Sequence, residues 1–576
     1  MADNLENMDI ENVAALTSTD GATINEQTPV LALLRTKKTK TPIIPYVNPA
    51  DENEFGVVKV DGITILSNNG VLSAVGGGSG SGDGSGIPPS NCKNMTINKS
   101  GLTYSLKWQD PDDTILDKQT LSSWGKTVIV RKEGSFPADI DDGDIIIENT
   151  TKDAYFETAL TDTVENANSD YYYKAFPVSL NGAINYNAKN NFTEAIIYEF
   201  CINPNESNPA ARVTYPAGCV NENFTPAKMD FANGSFNYGD WEHAFFQPRP
   251  VMVKYDGSVD YELYKTDFRY KADGVTASDV ANTNYGGNAM IAFPQVWFKF
   301  EMDGTLMHVY VSNKQVDENY HCYTHINKNG VLLDEIFIMA FQPGNISSKL
   351  RSLSGITILT NNSGTTELTY AQNNGACWNL MDYGEFNMIA HLLTLMAKST
   401  NVEAVYGKGR DSNNANSTTG ECISNGMFYG TSATGKLKIF GIENYYANYW
   451  KRCNGCVYNT TDGMKYKLCD YTTDGSTVIG YNTDGSGYLK HQTFSGSSGG
   501  YISQMRLTAN GIFPTVASGS ATTHWCDGLW WANGGFAKVG GSYTYGSLDG
   551  AFCLTLDVAV SYSNAHSGGS LSCKPL

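Results

Sequence analysis

The 576-residue chain has no apolar run of the roughly 18 residues that a membrane-crossing helix requires, so no insertion into a bilayer is expected. It has no basic surplus either. Forty Lys and Arg face 59 Asp and Glu, a formal net charge of −19, and this excludes nucleic acid as a partner because phosphate binding needs an excess of cations. Cysteine is sparse, with 12 scattered along the chain, too few for a disulfide scaffold. Most are expected to be reduced, small, buried apolar residues. The opening "MADNLENMDIENV" lacks a basic start followed by an apolar stretch, so no secretory leader is expected. The acidity is itself uneven: from Gly441 onward eight Lys/Arg balance eight Asp/Glu, so the negative charge lies upstream.

Glycine, tyrosine and small polar residues are plentiful (57 Gly and 34 Tyr), and only 17% of residues are charged. That composition predicts a turn-rich, mainly β, multidomain protein: a β-sandwich spacer followed by an α+β domain with one or two helices. Residues 1–50 read as an N-terminal attachment arm. In 51–75, "EFGVVKVDGITILSNNGVLSAV" gives two or three very short strands separated by D-G and N-N-G turns. One such hairpin buries too little to stand alone, so either three chains wind together here or the segment is a loose tail. Residues 76–90 form a Gly/Ser linker. From 91 to 204, "LTYSLKWQD", "TVIVRKEG", "GDIIIENT" and "SDYYYKAFPVSLNG" are regularly spaced strands, with Trp108 and Tyr171 to Tyr173 as core and corner residues. Residues 205–576 read as one larger unit. It has strands in "NAMIAFPQVWFKFEM", "LMHVYVSNKQ" and "LLDEIFIMAFQPG", and a helix over 380–400 capped by Asp382 with Glu385 three residues on.

Two spacings invite a metal reading. "CNGC" places Cys453 and Cys456 as in a zinc ribbon, but no second pair follows. "HCYTH" places His321 and His325 in a strand-like run, where i and i+4 lie too far apart to chelate together. "TDG" occurs at 461–463, 473–475 and 483–485 between β-prone runs, which predicts tandem hairpins. Clustered loop Asp could instead hold calcium, the one cofactor left open.

The segment "GIENYYANYWKRCNG" resembles the G-x-E-N-x-W-G-N-x-W-E-W-x-x-G signature of the formylglycine-generating-enzyme type of C-type lectin fold, through Gly441, Glu443, Asn444, Asn448, Trp450 and Gly455. Tyr446, Ala447, Lys451 and Arg452 depart from it. The resemblance implies a scaffold role, with Asn side chains satisfying loop backbone and aromatics wedged between the loops. Residues 91–204 resemble fibronectin type III modules of phage tail proteins, through "KWQDPDD" and "YYYKAFPVS". The ending "HWCDGLWWANGGFAKVGGSYTYGSLDGAFCLTLDVAVSYSNAHSGGSLSCKPL" resembles phage receptor-binding proteins of the major tropism determinant type, whose exposed positions a retroelement diversifies on a constant frame.

Together these resemblances imply a virion tail-fibre adhesin made in the host cytoplasm, a non-enzymatic homotrimer. It would attach to tail or baseplate proteins through its N-terminus and grip a host-surface glycan or protein at its C-terminus. "VGGSY", "GAF" and "LSCKP" would be frame. Trp530, Trp531, Asn533, Phe536, Tyr543, Tyr545, Ser547, Leu548, Asp549, Tyr562, Asn564 and His566 are the expected receptor-binding residues, a Tyr/Ser/Asn mixture with the chemistry of a paratope. Trp525 is the aromatic expected to be core instead. Two rival readings remain. One is an enzyme, either a polysaccharide depolymerase or a formylglycine-type oxidase using Cys526, Cys553 or Cys573. The other is a purely structural baseplate protein.

Overall fold

The computed structural model describes 31–33, 43–45, 56–60, 63–68 and 71–75 as strands, and then residues 87–116, 119–166, 169–468, 485–496 and 498–576. The protein is mainly β, in several sheets, with four α-helices among the described residues. It divides into two units, Met1–Glu194 and Ala195–Leu576.

In the first unit, Leu31–Leu33 pairs antiparallel with Ile43–Pro45. Gly56–Val60, Ile63–Asn68 and Val71–Val75 form an antiparallel meander, its turns at the expected D-G and N-N-G positions. Most of the Gly/Ser linker lies outside the described residues. The sandwich packs a sheet of Thr103–Gln109 flanked by Lys93–Ser100 and Leu160–Thr163 against a four-stranded sheet built on Trp124–Glu133 and Tyr171–Ser179. Alternation along Thr103–Gln109 sends Tyr104, Leu106 and Trp108 inward. Trp108 stacks on Tyr155 at 4.8 Å, and Tyr173 is fully buried, whereas Tyr171 and Tyr172 are partly exposed. Asp110 is the polar hub of this core. It accepts hydrogen bonds from Trp108 Nε1 (2.8 Å), Thr127 Oγ1 and the backbone N–H of Asp153 (2.8 Å).

The second unit begins earlier than the expected boundary at 204. Ile197–Ile202 pairs along its whole length with Leu306–Ser312, and its Tyr198, Phe200 and Ile202 enter the large core of this unit. The sequence offered no turn signal strong enough to move the boundary, because the strand resembles its predecessors. A six-stranded sheet runs in the order Val259–Glu262, Arg249–Lys254, Gly287–Pro294, Glu335–Met339, Ser572–Cys573, Trp378–Asn379, so the chain's last strand closes a sheet begun some 320 residues earlier. A larger mixed sheet centres on Trp450–Asn459, Gly535–Val539, Leu554–Leu556 and Gly528–Trp531.

The helix Tyr383–Ala397 is buried on every side. Asp382 caps it, and Glu385 completes the reciprocal capping box. Residues 321–325 are turns with isolated bridges rather than a strand, and His325 is fully buried, bonded to Thr324 Oγ1 and the Phe293 carbonyl. The first "TDG" is the expected hairpin: Asn459 pairs with Gly463, whose φ is +76°. The second lies outside the described residues, as does the third apart from Gly485, so the calcium expectation falls largely outside them too.

Candidate functional site

The segment 441–456 is scaffold, and its hydrogen bonds say how. Glu443 accepts from the backbone N–H of Gly420 and of Cys422, each at 2.8 Å. Asn448 clasps the backbone of Asn416 from both sides: its Oδ1 accepts from the amide at 2.9 Å, and its Nδ2 donates to the carbonyl at 3.0 Å. An isolated bridge from Thr418 to Thr357 joins this loop to a neighbour, and the Glu443 and Asn448 side chains satisfy further backbone groups of it. Asn444, Ala447 and Asn448 all adopt positive φ, and Gly441 does so at +85°. Tyr445, Tyr446 and Trp450 are buried between the loops. Lys451 is also buried, donating to the Ala447 and Tyr449 carbonyls; burial pushes it down to about 7. Cys453 and Cys456 are buried thiols pushed well above the ordinary range by that burial.

This frame carries the C-terminal loops directly. The Tyr543 amide donates to the Asn448 carbonyl (2.8 Å), and the Tyr543 carbonyl accepts from Asn413 (2.6 Å). The Trp450 amide donates to the His566 carbonyl (2.9 Å), Asn361 donates to the Asn564 carbonyl (2.9 Å), and Gly546 donates to Asp411 (2.8 Å). The loops are therefore pinned by main-chain hydrogen bonds.

On this support stands an aromatic cluster. Trp450, 1% exposed, is the floor. Trp530 and Tyr545, both partly exposed, meet it edge-on at 6.1 and 5.1 Å and meet each other at 4.9 Å. The Trp530 indole lies across Gly499 and Gly528, where an added methyl group would overlap the ring. Beside it, Lys538 Nζ sits 5.5 Å from the Trp450 ring and 5.4 Å from the ring of Tyr562, which is 41% exposed. Lys538 is nearly sealed and is pushed down to about 8 by burial, with Asp557 at 3.9 Å. Tyr543 packs on Tyr449 and His566 at 5.4 and 5.0 Å. Ser547 shares a 2.7 Å hydrogen bond with Tyr501, and Asn564 donates to the Tyr562 hydroxyl at 3.1 Å. Leu548 sits half-buried in the same short 3-10 turn, Gly546–Leu548.

Four of the expected residues lie elsewhere or inside. Phe536 is 2% exposed and belongs to the core, because Gly535–Val539 is buried along its whole length. Asp549 is fully buried: its Oδ1 accepts from the Ser542 amide at 2.9 Å and braces the Gly540–Gly541 turn, so it is frame. Trp531 follows Trp530 on the strand and therefore points to the opposite face, where it meets Phe494 at 5.2 Å. Asn533 lies at the tip beyond it and accepts from the Thr460 amide. Trp525 is fully buried, as expected.

A second concavity escaped the sequence reading. It is a cleft of about 590 Å³ lined by Phe236, Tyr238, Glu242, His243, Lys265 and Tyr429. Its only sequence signal is the aromatic density of 236–246, and Trp241 and Phe246 of that run are core. Among the late cysteines, burial pushes Cys526 up to about 12, and Cys553 and Cys573 well above the thiol range. No family model matches the chain, and no curated protein matches it.

Proposed function

We propose that the chain is a tail-fibre adhesin of a phage or prophage whose C-terminal unit, lectin-like in its resemblance, binds a host-surface glycan or protein and transforms nothing. The observation that carries this reading is the union of a main-chain-pinned frame with a partly exposed Trp530/Tyr545/Tyr543/Tyr562 surface interspersed with Ser547, Asn564 and His566. Tyr and Trp offer large contact area at small entropic cost, and the short polar side chains adapt to the partner. Cys526, Cys553 and Cys573 are buried, which favours binding over oxidase chemistry, since a reactive cysteine needs access to its substrate. Three copies on one stalk would multiply a weak grip into firm adhesion; a single-chain mass in sedimentation would remove that element.

The test is binding of the labelled full chain to a panel of intact bacteria, with released saccharide measured in parallel. Adhesion without glycan release is expected, and Y545A or Y562A should weaken it by about 30-fold, the scale of a hot-spot residue. Y429A, in the cleft, should leave it intact. Glycan cleavage, or loss of binding in Y429A but not in Y545A, would overturn the assignment.

A further inference from the structure

The strand Ile197–Ile202 buries Tyr198, Phe200 and Ile202 on its inner face, so Glu199 and Cys201 occupy the outer one. Outer faces ordinarily carry solvated side chains, yet Cys201 is only 3% exposed. Its cross-strand partner on Leu306–Ser312 is His308. His308 Nδ1 lies 2.7 Å from Glu199 Oε1 and 3.2 Å from Cys201 Sγ, and the sulfur is 3.4 Å from Nε2. All three donor atoms fall within 4.8 Å of one another. The imidazole and carboxylate side chains are 13% and 15% exposed, sheltered but reachable.

The shelter is built. Asn221, fully buried, brackets the Glu199 backbone, accepting from its amide at 2.8 Å and donating to its carbonyl at 2.9 Å. This holds the loop carrying Asn221 against the strand. On the other side of His308, Glu301 is its partner on Trp297–Asp303, held by Lys299 at 2.9 Å and by the Tyr310 hydroxyl at 2.8 Å. Glu301 is thus already committed, whereas Glu199, Cys201 and His308 converge on one another.

We propose that Glu199, Cys201 and His308 form a binding site for a divalent transition metal, zinc above others, with water completing the tetrahedron. Thiolate, imidazole and carboxylate are the donors zinc takes, at about 2.3, 2.0–2.1 and 2.0–2.2 Å. For a tetrahedral ion those lengths place the donor atoms about 3.4–3.6 Å apart. The observed 2.7 Å contact needs to open by about 0.7 Å and the 3.2 Å contact by about 0.4 Å, with the imidazole turning so that one nitrogen faces the ion. Binding exchanges the thiol proton for the metal and releases it to solvent. The site ties together the strand pair Ile197–Ile202 and Leu306–Ser312 that opens the second unit, a stabilising role independent of receptor binding.

The test uses the full chain, stripped with chelator and titrated with Co²⁺ and then Zn²⁺. One equivalent per chain should bind with the sulfur-to-cobalt absorption of a thiolate ligand, and zinc should displace it. C201S should abolish the absorption, and H308Q should weaken binding by more than about tenfold. Because Cys201 is buried and its substitution puts folding at risk, melting of the wild type and H308Q with and without zinc gives the second reading: zinc should raise the melting temperature of the wild type alone. Absence of stoichiometric cobalt binding, an absorption that persists in C201S, or equal zinc stabilisation in H308Q would overturn the proposal.

Discussion

Glu443 shows how one residue serves the frame and sets a pH dependence. Its two oxygens hold the loop amides of Gly420 and Cys422, and burial pushes it up from an ordinary 4.5 to about 7, against the opposing pull of these hydrogen bonds. Glu421 adds to the rise, and Lys438, its cross-strand partner, works against it. A raised carboxyl stays protonated in the folded chain while the unfolded chain ionises, so the folded state loses stability as pH climbs. The stability of the wild type relative to E443Q should therefore decline between pH 4.5 and 7, by up to about 3 kcal/mol, and level off above that. Denaturant unfolding at a series of pH values checks this, and a difference that stays flat across the window counts against a buried, high-lying Glu443. The motif residues were legible as frame only through the resemblance of their spacing to a known signature, and the positive φ of Gly441, Asn444 and Asn448 supplies the physical reason. Asp549 was not legible, since a short acidic side chain reads the same in sequence whether it meets solvent or braces a turn.

At the scale of elements, Tyr383–Ala397 carries the clearest example of a structure held from far away. Glu385, in its first turn, closes the capping box. It also accepts from Ser572 Oγ at 2.9 Å and pairs with Lys574 at 3.0 Å, both side chains of the ion pair being fully buried. Removing the carboxylate takes the charge partner from a buried ammonium, so E385A should cost about 3–5 kcal/mol, well beyond the roughly 1 kcal/mol of a lost cap. Thermal or denaturant unfolding of E385A measures it; a loss near 1 kcal/mol would mean that Lys574 is solvated after all. Helical periodicity and the Asp382/Glu385 spacing made this helix readable from local sequence. Its bond to the last strand was not readable, because nothing local in "LSCKPL" names a partner almost 190 residues away. The same limit explains Trp530 and Trp531: adjacent in sequence, they face opposite ways once the strand is in the sheet.

For the whole molecule, the position of Ile197–Ile202 decides where the second unit begins. That strand pairs with Leu306–Ser312 and contributes Tyr198, Phe200 and Ile202 to the large core. A fragment of residues 195–576 is expected to fold cooperatively, whereas 205–576 exposes the edge and apolar face left by the missing strand and should aggregate or melt far lower. Parallel expression with far-UV and thermal-melt comparison tests the pair; equal behaviour would show the strand to be dispensable.

Composition, alternation and turn residues on their own determined that this protein is β-rich and multidomain, and where the sandwich core and the one long helix lie, because each of those follows from short-range periodicity and backbone sterics. Only the tertiary structure decided which C-terminal aromatics reach the surface together, that Phe536 and Asp549 do not, and that Glu199, Cys201 and His308 converge. Those juxtapositions come from sheet register between distant strands, and register is set by how the entire core closes.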